Sequence, residues 1–306
     1  MIKIYQKTIS DRKLRTIRKF KAGSWIYVED PHEKEIKKLT QNFSFAPDLI
    51  KDALDPHEVP RLEIEKEIVY IFTRVPYQEN GKVTTTPLLI AISHHFLATI
   101  CLKKPAFLEK FTSEKINFFT TQKTRLFLQF FAEINQIYNN FLTNINRDVR
   151  GISIQLEKID NKDVVQFVSF GIILNDFLAA LAPTNSLLQN LLSGKFLKLY
   201  EKDKDLIEDL SLGTEQLIKR CEADLKNIVN IREAYSTILT NNLNRVIKLL
   251  TALTIILTIP TIIASIYGMN VRLPLMDSPF VFIWIIVITF LFSLIVLLIL
   301  FKKRWL

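Results

Sequence analysis

Two stretches near the C-terminal end of this chain constrain it most: Leu249 to Val271 and Ser278 to Phe301 contain no Asp, Glu, Lys or Arg. As a helix rising about 1.5 Å per residue, each run reaches roughly 30 Å, the thickness of a bilayer's hydrocarbon core. Two such runs, almost back to back, are hard to bury inside the soluble part of a 306-residue chain. The sequence therefore predicts an integral membrane protein with two spans. The first span is the more polar. Thr251, Thr254, Thr258, Thr261 and Ser265 dot it, and Asn244 stands before it. Pro260 lies inside, where it removes one backbone hydrogen bond and is expected to kink the helix, and Thr258 or Thr261 is placed to make up part of the deficit. The second span is nearly all Ile, Leu, Val and Phe. This contrast predicts a first helix that lines a wet path or packs centrally, and a second that faces lipid; simple packing assistance by Thr and Ser is the alternative.

Charge gives the orientation. Arg245 and Lys248 precede the first span, and the basic ring candidates Lys302, Lys303 and Arg304 follow the second, whereas the connecting loop has only Arg272 and Asp277. Positive charge stays on the cytoplasmic side, so a multi-pass plasma-membrane protein with both termini cytoplasmic is expected. Met1 to Phe20 has no continuous apolar core, so no cleaved signal peptide is expected. The formal charge of +9 comes from dispersed residues mixed with acidic ones. Its densest cluster abuts a span, which fits anionic lipid headgroups and not nucleic acid. Cys101 and Cys221 have no metal or redox spacing and fit two unpaired thiols. Gly totals only seven, no phosphate-binding Gly loop is present, and no nucleophile-base-acid set stands out. An enzyme is not expected.

Residues 1–103 read as an α/β domain, with strands at Ile2–Lys7, Ser24–Val28, Ile64–Arg74, Val83–Ser93 and Phe96–Lys103 and short helices at His32–Thr40 and Pro47–Leu54. Asn80-Gly81 between β-formers signals a hairpin. The tetrapeptide Asp-Pro-His-Glu occurs at 30–33 and again at 55–58. It reads as a helix start, with Asp as N-cap, Pro first and Glu in the first turn, more readily than as a metal motif. His94-His95 reads as strand, its rings on opposite faces. Residues 104–204 form a helical region, with long helices over Thr124–Glu157 and Lys162–Leu192 and a stop at Gly194. Residues 205–248 form a stalk helix. Ile207, Leu210, Thr214, Leu217, Cys221, Ile228, Ile231, Tyr235 and Ile238 keep a three-four spacing that Asp224, Asn242 and Arg245 interrupt. No proline separates this stalk from the two-helix membrane domain at 249–306, so one helix from Asp205 to Ile266, roughly 90 Å long, is expected to join a bundle.

The first span ends in Tyr267-Gly268-Met269-Asn270, followed by a short loop, the second span and the basic tail Lys302-Lys303-Arg304-Trp305-Leu306. In this arrangement the sequence resembles the CorA family of magnesium transporters, which carries a Gly-Met-Asn signature at this place. The stretch Asn244 to Asn270 follows the family pattern, and the α/β domain, helical middle and stalk extend the likeness more loosely over the whole chain. The resemblance implies an α+β cytoplasmic domain, a long helical stalk and two transmembrane helices, assembled as a pentameric, CorA-like funnel. It implies a Mg²⁺ channel whose ion moves down its electrochemical gradient, with Gly268, Met269 and Asn270 as the selectivity filter. Five Asn270 amides would accept hydrogen bonds from the hydration shell of an ion that dehydrates reluctantly. Asn270 as a helix C-cap and Gly268 as a turn former are the structural alternatives.

Matching positions place Asn244, Leu250, Leu257, Thr258 and Thr261 toward the pore, with Ile247 an alternative gate residue. The leucines would be hydrophobic constrictions. Mg²⁺ is then substrate and also a regulatory ligand, held between subunits by Asp205, Glu208 and Asp209 of the stalk and Asp52, Asp55 and Glu58 of the N-terminal domain. No other cofactor is implied; the partners are other copies of the chain, lipids and divalent cations. The loop Val271–Pro279 is less acidic than family loops often are, which gives little electrostatic focusing. Two other readings stay open: a Zn²⁺, Co²⁺ or Ni²⁺ transporter of the same fold, against which the retained Met269 weighs in part, and a non-conducting two-span sensor.

Overall fold

The computed structural model describes residues 1–79, 81–154, 159–271 and 280–303. The elements run β1 (Ile2–Gln6), β2 (Arg15–Thr16), β3 (Ser24–Glu29), α1 (Glu33–Phe43), α2 (Pro47–Asp52), β4 (Arg61–Glu65), β5 (Ile68–Glu79), β6 (Lys82–Ile92) and β7 (Phe96–Cys101). Then follow α3 (Phe107–Thr112), α4 (Lys123–Ser153), α5 (Asn161–Leu192), α6 (Glu201–Tyr267) and α7 (Val281–Lys302). The chain divides into two compact units, Met1–Asn230 and Ile231–Leu306. The expected boundaries at 103 and 204 both fall inside the first unit.

Seven strands form one sheet in the order β2-β1-β3-β7-β6-β5-β4. Every pairing is antiparallel except β3 with β7, which run parallel with Ser24 opposite Phe96 and Glu29 opposite Cys101. The central strands are buried on both faces, so they read as continuous apolar runs and not as alternation. On β3, Ile26 and Val28 join a core with Ile36 and Leu39 of α1 and Leu49 and Ile50 of α2. Trp25 points the other way, edge-on to Phe111 and Phe118 and tilted against Phe130 of α4. Its indole Nε1 donates to Thr99 Oγ1 at 2.9 Å, which satisfies the polar tip of a fully buried ring. The sheet is thus the middle of three layers.

The strand expected over Ile64–Arg74 is two strands. Glu65 pairs with Ile68 around Lys66 and Glu67, which take φ of +51° and +64°. Two left-handed residues in a two-residue loop match the twist of a hairpin, but Asn-Gly normally marks them, and Lys-Glu does not. At the other hairpin Glu79 pairs with Lys82 and Gly81 has φ +78°, while Asn80 lies outside the described residues. His94 and His95 are not strand; they form the bend between β6 and β7, where the His94 carbonyl accepts from Lys123 Nζ and the His95 carbonyl from Gly23 N.

The repeated tetrapeptide behaves differently at its two sites. At the first, His32 and not Asp30 is the N-cap of α1, and Glu35 accepts from His32 N at 3.2 Å. At the second, Asp55 Oδ1 accepts from His57 N at 2.9 Å, and the segment is a turn after α2 with no helix following it. Asp caps and Asp turns use the same side chain-to-backbone bond, so the sequence does not separate them.

Helix α4 ends at Ser153, and the Glu157 end expected for it lies outside the described residues. Helix α5 is followed by Gly194 at φ +70°. By length and composition α5 is also apolar enough to cross a membrane. Its Phe170, Leu174, Phe177, Leu181 and Leu188 are instead buried, and it contacts β4, β5 and β6. In α6 the seam residues Ile207, Leu210, Thr214, Leu217, Cys221 and Ile228 are all buried. Asp224 does not break this seam. It is 3% exposed, and its Oδ1 accepts from Asn146 Nδ2 of α4 at 2.5 Å. Asn135 likewise donates to Thr214 Oγ1 at 3.0 Å, so the α4–α6 contact is laced with polar pairs.

Candidate ion-conduction site

Helix α6 continues through Pro260 without a break. Pro260 cannot donate to Ile256, and neither neighbouring threonine makes up for it: Thr258 Oγ1 donates to the Thr254 carbonyl at 2.7 Å and Thr261 Oγ1 to Leu257 at 2.9 Å. Thr251 and Thr254 donate in the same way to Ile247 and Leu250. Each hydroxyl hydrogen is therefore committed to the helix's own carbonyls. What each hydroxyl presents outward is an oxygen with acceptor capacity to spare, the chemistry a hydrated cation's water protons seek.

The second unit gives the first span two distinct faces. Ala252 is buried and Ile256, Ile259, Ile263 and Tyr267 are partly covered, while the residues between them are exposed. On α7 the covered positions are Val281, Ile285, Thr289, Ser293, Val296 and Leu300. Both sets recur every three or four residues, as expected of two helices that cover one another. Thr289 and Ser293 of α7 are thus on its covered face. Thr289 Oγ1 donates to Ile285 O at 2.7 Å, and Ser293 Oγ is buried with no hydrogen-bond partner among the described residues.

At about 100° per residue, Leu250, Thr254, Leu257, Thr261 and Ser265 lie on the side of α6 opposite this covered stripe. Ile247 and Thr258 flank that open face, and Asn244 lies further round. All of these are exposed in the single chain. Thr254 and Ser265 join the same face as the expected pore residues, although the sequence alone gave no reason to rank them with Thr258 and Thr261.

The helix closes at the signature. Gly268 N donates to Ala264 O at 2.9 Å and Met269 N to Ile266 O at 3.3 Å. Gly268 does not take a positive φ, so left-handed geometry is not its reason for being there. A Cβ at this position would sit 3.2 Å from the Ala264 oxygen, a tight approach at the helix end. Asn270 is exposed, has no left-handed φ, and makes no hydrogen bond among the described residues. It does not act as the C-cap, and its amide is left for solvent or a ligand. Lys302 and Lys303 end α7, Lys302 inside it and Lys303 as its C-cap, while Arg304 and the loop residues 272–279 lie outside the described residues.

The expected regulatory acids fall in two places. Asp205, Glu208 and Asp209 are exposed near the start of α6, and none has an ion-pair partner among the described residues. Asp52 and Glu58 are drawn together by Arg61, a residue the sequence reading passed over. Its Nη2 is 2.7 Å from Asp52 Oδ2, its Nη1 holds Glu58, its Nε holds Glu63, and its guanidinium lies 4.1 Å from the Phe72 ring centroid. Asp55 stands apart in its turn. Among the described residues no group of three or more His, Cys, Asp or Glu could hold a metal ion. One chain therefore does not assemble the regulatory ligand set by itself.

Comparison with known proteins agrees with this architecture. Residues 20–304 match the family described as CorA-like Mg2+ transporter protein. The cobalt/magnesium transport protein CorA of Methanocaldococcus jannaschii is 28% identical over 263 residues, covering 83% of this chain and 82% of that one. The complete structure of the CorA magnesium transporter from Methanocaldococcus jannaschii superposes with a TM-score of 0.89 at 23% identity, over 100% of this chain and 99% of that one. The full-length CmaX protein does so at 0.77 and 16% identity, over 98% and 96%. The match runs from the sheet to the end of the second span, and the chain belongs to the family of CorA-like Mg²⁺ transporter proteins.

Proposed function

We propose that the chain is one subunit of a homopentameric Mg²⁺ channel in the cell membrane, both termini cytoplasmic, with the open face of α6 lining the pore. The observation that carries this reading is the division of the first span. One stripe is covered in the second unit, the opposite face bears the threonine oxygens, and an exposed Asn270, unengaged among the described residues, follows the helix end. Five such faces around an axis would alternate leucine constrictions at Leu250 and Leu257 with oxygen-bearing levels at Thr254, Thr258 and Thr261. Narrow apolar rings gate by dewetting, and neutral acceptors bind a hydrated ion loosely enough to release it. Gly268 and Met269 would position the Asn270 ring at the mouth, Asn244 and Ile247 would line the approach, and Lys302, Lys303 and Arg304 would form a basic collar. The driving force is about 2.3 kcal/mol per charge per 100 mV, doubled for a divalent ion.

Gating by Mg²⁺ between subunits is part of the proposal. Asp205, Glu208 and Asp209 are the better donors because they are unpaired, whereas an ion at Asp52 or Glu58 competes with Arg61. Asp55, outside the Arg61 fork, would be the third N-terminal donor. Transport of Co²⁺ is the second reading, favoured by the cobalt/magnesium designation of the archaeal relative. Liposomes carrying the full chain and an internal Mg²⁺ dye test both. Flux that rises with an inside-negative potential and drops in Asn270→Ala supports the channel and its filter. Flux indifferent to Asn270→Ala removes the filter, and silence with Mg²⁺, Co²⁺ and Zn²⁺ alike returns the chain to a sensor.

A further inference from the structure

The first unit has a cavity of about 960 Å³ that the transport reading does not use. It opens between the β6–β7 bend, the start of α4 and the segment joining α5 to α6. Its lining is charged one way: Lys123, Arg125, Lys195, Lys198 and Lys202 against two carboxylates, Glu67 and Asp203. None of these five cations has a carboxylate within ion-pair distance among the described residues. Five unpaired cations round one concavity raise a positive field there. Lys123 is bound in place. Its Nζ donates to the carbonyls of Ser93, at 2.8 Å, and of His94, both neutral, so the charge stays uncompensated. Burial lowers its pKa, which is the cost of holding an ammonium in this wall. Gln122, the N-cap of α4, makes no side-chain cap bond, so it leaves the first-turn N–H groups of the helix uncapped on the same side.

The cavity has an aromatic rim as well as a cationic wall. Tyr200 is 81% exposed at its mouth, beside Phe196. A cationic wall neutralises phosphate oxygens, and an exposed ring stacks on a planar base. The volume lies within the usual range of about 300–1,000 Å³ for small-molecule sites. We propose that this cavity binds a nucleoside polyphosphate, with the phosphates against Lys195, Lys198, Lys123 and Arg125 and the base on Tyr200. It does so without a Gly-rich loop, by side-chain charge in place of a backbone cradle. The ligand's own Mg²⁺ is not required, since the wall supplies the countercharge.

Calorimetric titration of the purified full chain with ATP, in buffer containing a chelator and no divalent ion, tests this. Tripolyphosphate and adenosine are the comparison ligands. ATP is expected to bind once per chain, more tightly than tripolyphosphate, with adenosine weakest. Lys195→Glu with Lys198→Glu should weaken ATP at least about tenfold. Tyr200→Ala should weaken ATP and leave tripolyphosphate unchanged. All three substituted residues are exposed, and an unchanged melting temperature without ligand checks that the variants fold. No binding of ATP, or binding indifferent to the double charge reversal, overturns the site. Tripolyphosphate binding as tightly as ATP, with Tyr200→Ala silent, overturns the nucleoside part and leaves a polyanion surface only.

Discussion

Raising the pH from 8 to 10 should destabilise the folded chain through its two cysteines. Cys101 and Cys221 are both fully buried. Burial pushes each thiol from its ordinary value of 9.0 up to about 12, with the Glu29 charge adding to Cys101 and the Asp224 charge to Cys221. The Cys101 thiol lies 3.6 Å from the Val28 carbonyl, to which it donates while protonated. A raised folded pKa of this kind contributes full stability below the unfolded value and loses it as pH climbs from there toward the folded value. At pH 10 the unfolded chain has released both protons and the folded chain neither. Each cysteine then costs about 1–2 kcal/mol and the pair about 3 kcal/mol relative to pH 8. Denaturation of the full chain in detergent, followed by Trp25 fluorescence in a Trp284→Phe/Trp305→Phe background at both pH values, measures this. Tyrosines begin to titrate at the top of the window, so the comparison is with Cys101→Ala/Cys221→Ala, whose loss should be smaller by that amount. Equal losses in the two proteins would refute the reasoning, as would rapid labelling of either thiol in the folded state at pH 8.

Arg61→Leu should keep the apolar contact on Phe72 yet leave Asp52, Glu58 and Glu63 without their shared cation. The pairs are partly exposed, so the expected loss is about 1–2 kcal/mol in low salt, shrinking in high salt, read by the same denaturation assay. A loss independent of salt would count against an electrostatic role. In the proposed pore, Leu257→Ser should raise Mg²⁺ leak severalfold in liposomes at high internal Mg²⁺, because it wets an apolar ring; an unchanged leak would take Leu257 off the pore face.

The membrane spans, the long helix through Pro260 and the strand-rich start were legible because each leaves a run or a period that one element alone produces. The places where reading failed share a cause: a local signal absent or ambiguous while tertiary contacts decided. Lys66-Glu67 turns a hairpin without the residues that normally mark one, so β4 and β5 read as a single strand. Asp224 looked like an interruption because its partner, Asn146, is remote in sequence. Arg61 was invisible as a site residue because a lone arginine carries no motif; only the fold brings Asp52, Glu58 and Glu63 to its fork. For the signature the sequence supplied the place and left the physical role open. Gly268 takes no left-handed φ, and Asn270 does not cap the helix.

The parallel pairing of β3 with β7 also bears on the order in which the molecule is made. The sheet's middle joins Ser24–Glu29 to Phe96–Cys101, so it cannot close until the second of these segments has left the ribosome. From there roughly 150 residues remain before the first apolar span, about 7–30 s at the usual rate of synthesis. That interval exceeds the milliseconds to seconds in which sheets of non-local pairing close. The strands thus have time to settle before the two C-terminal spans appear, and their insertion acts on a chain whose leading sheet is already built.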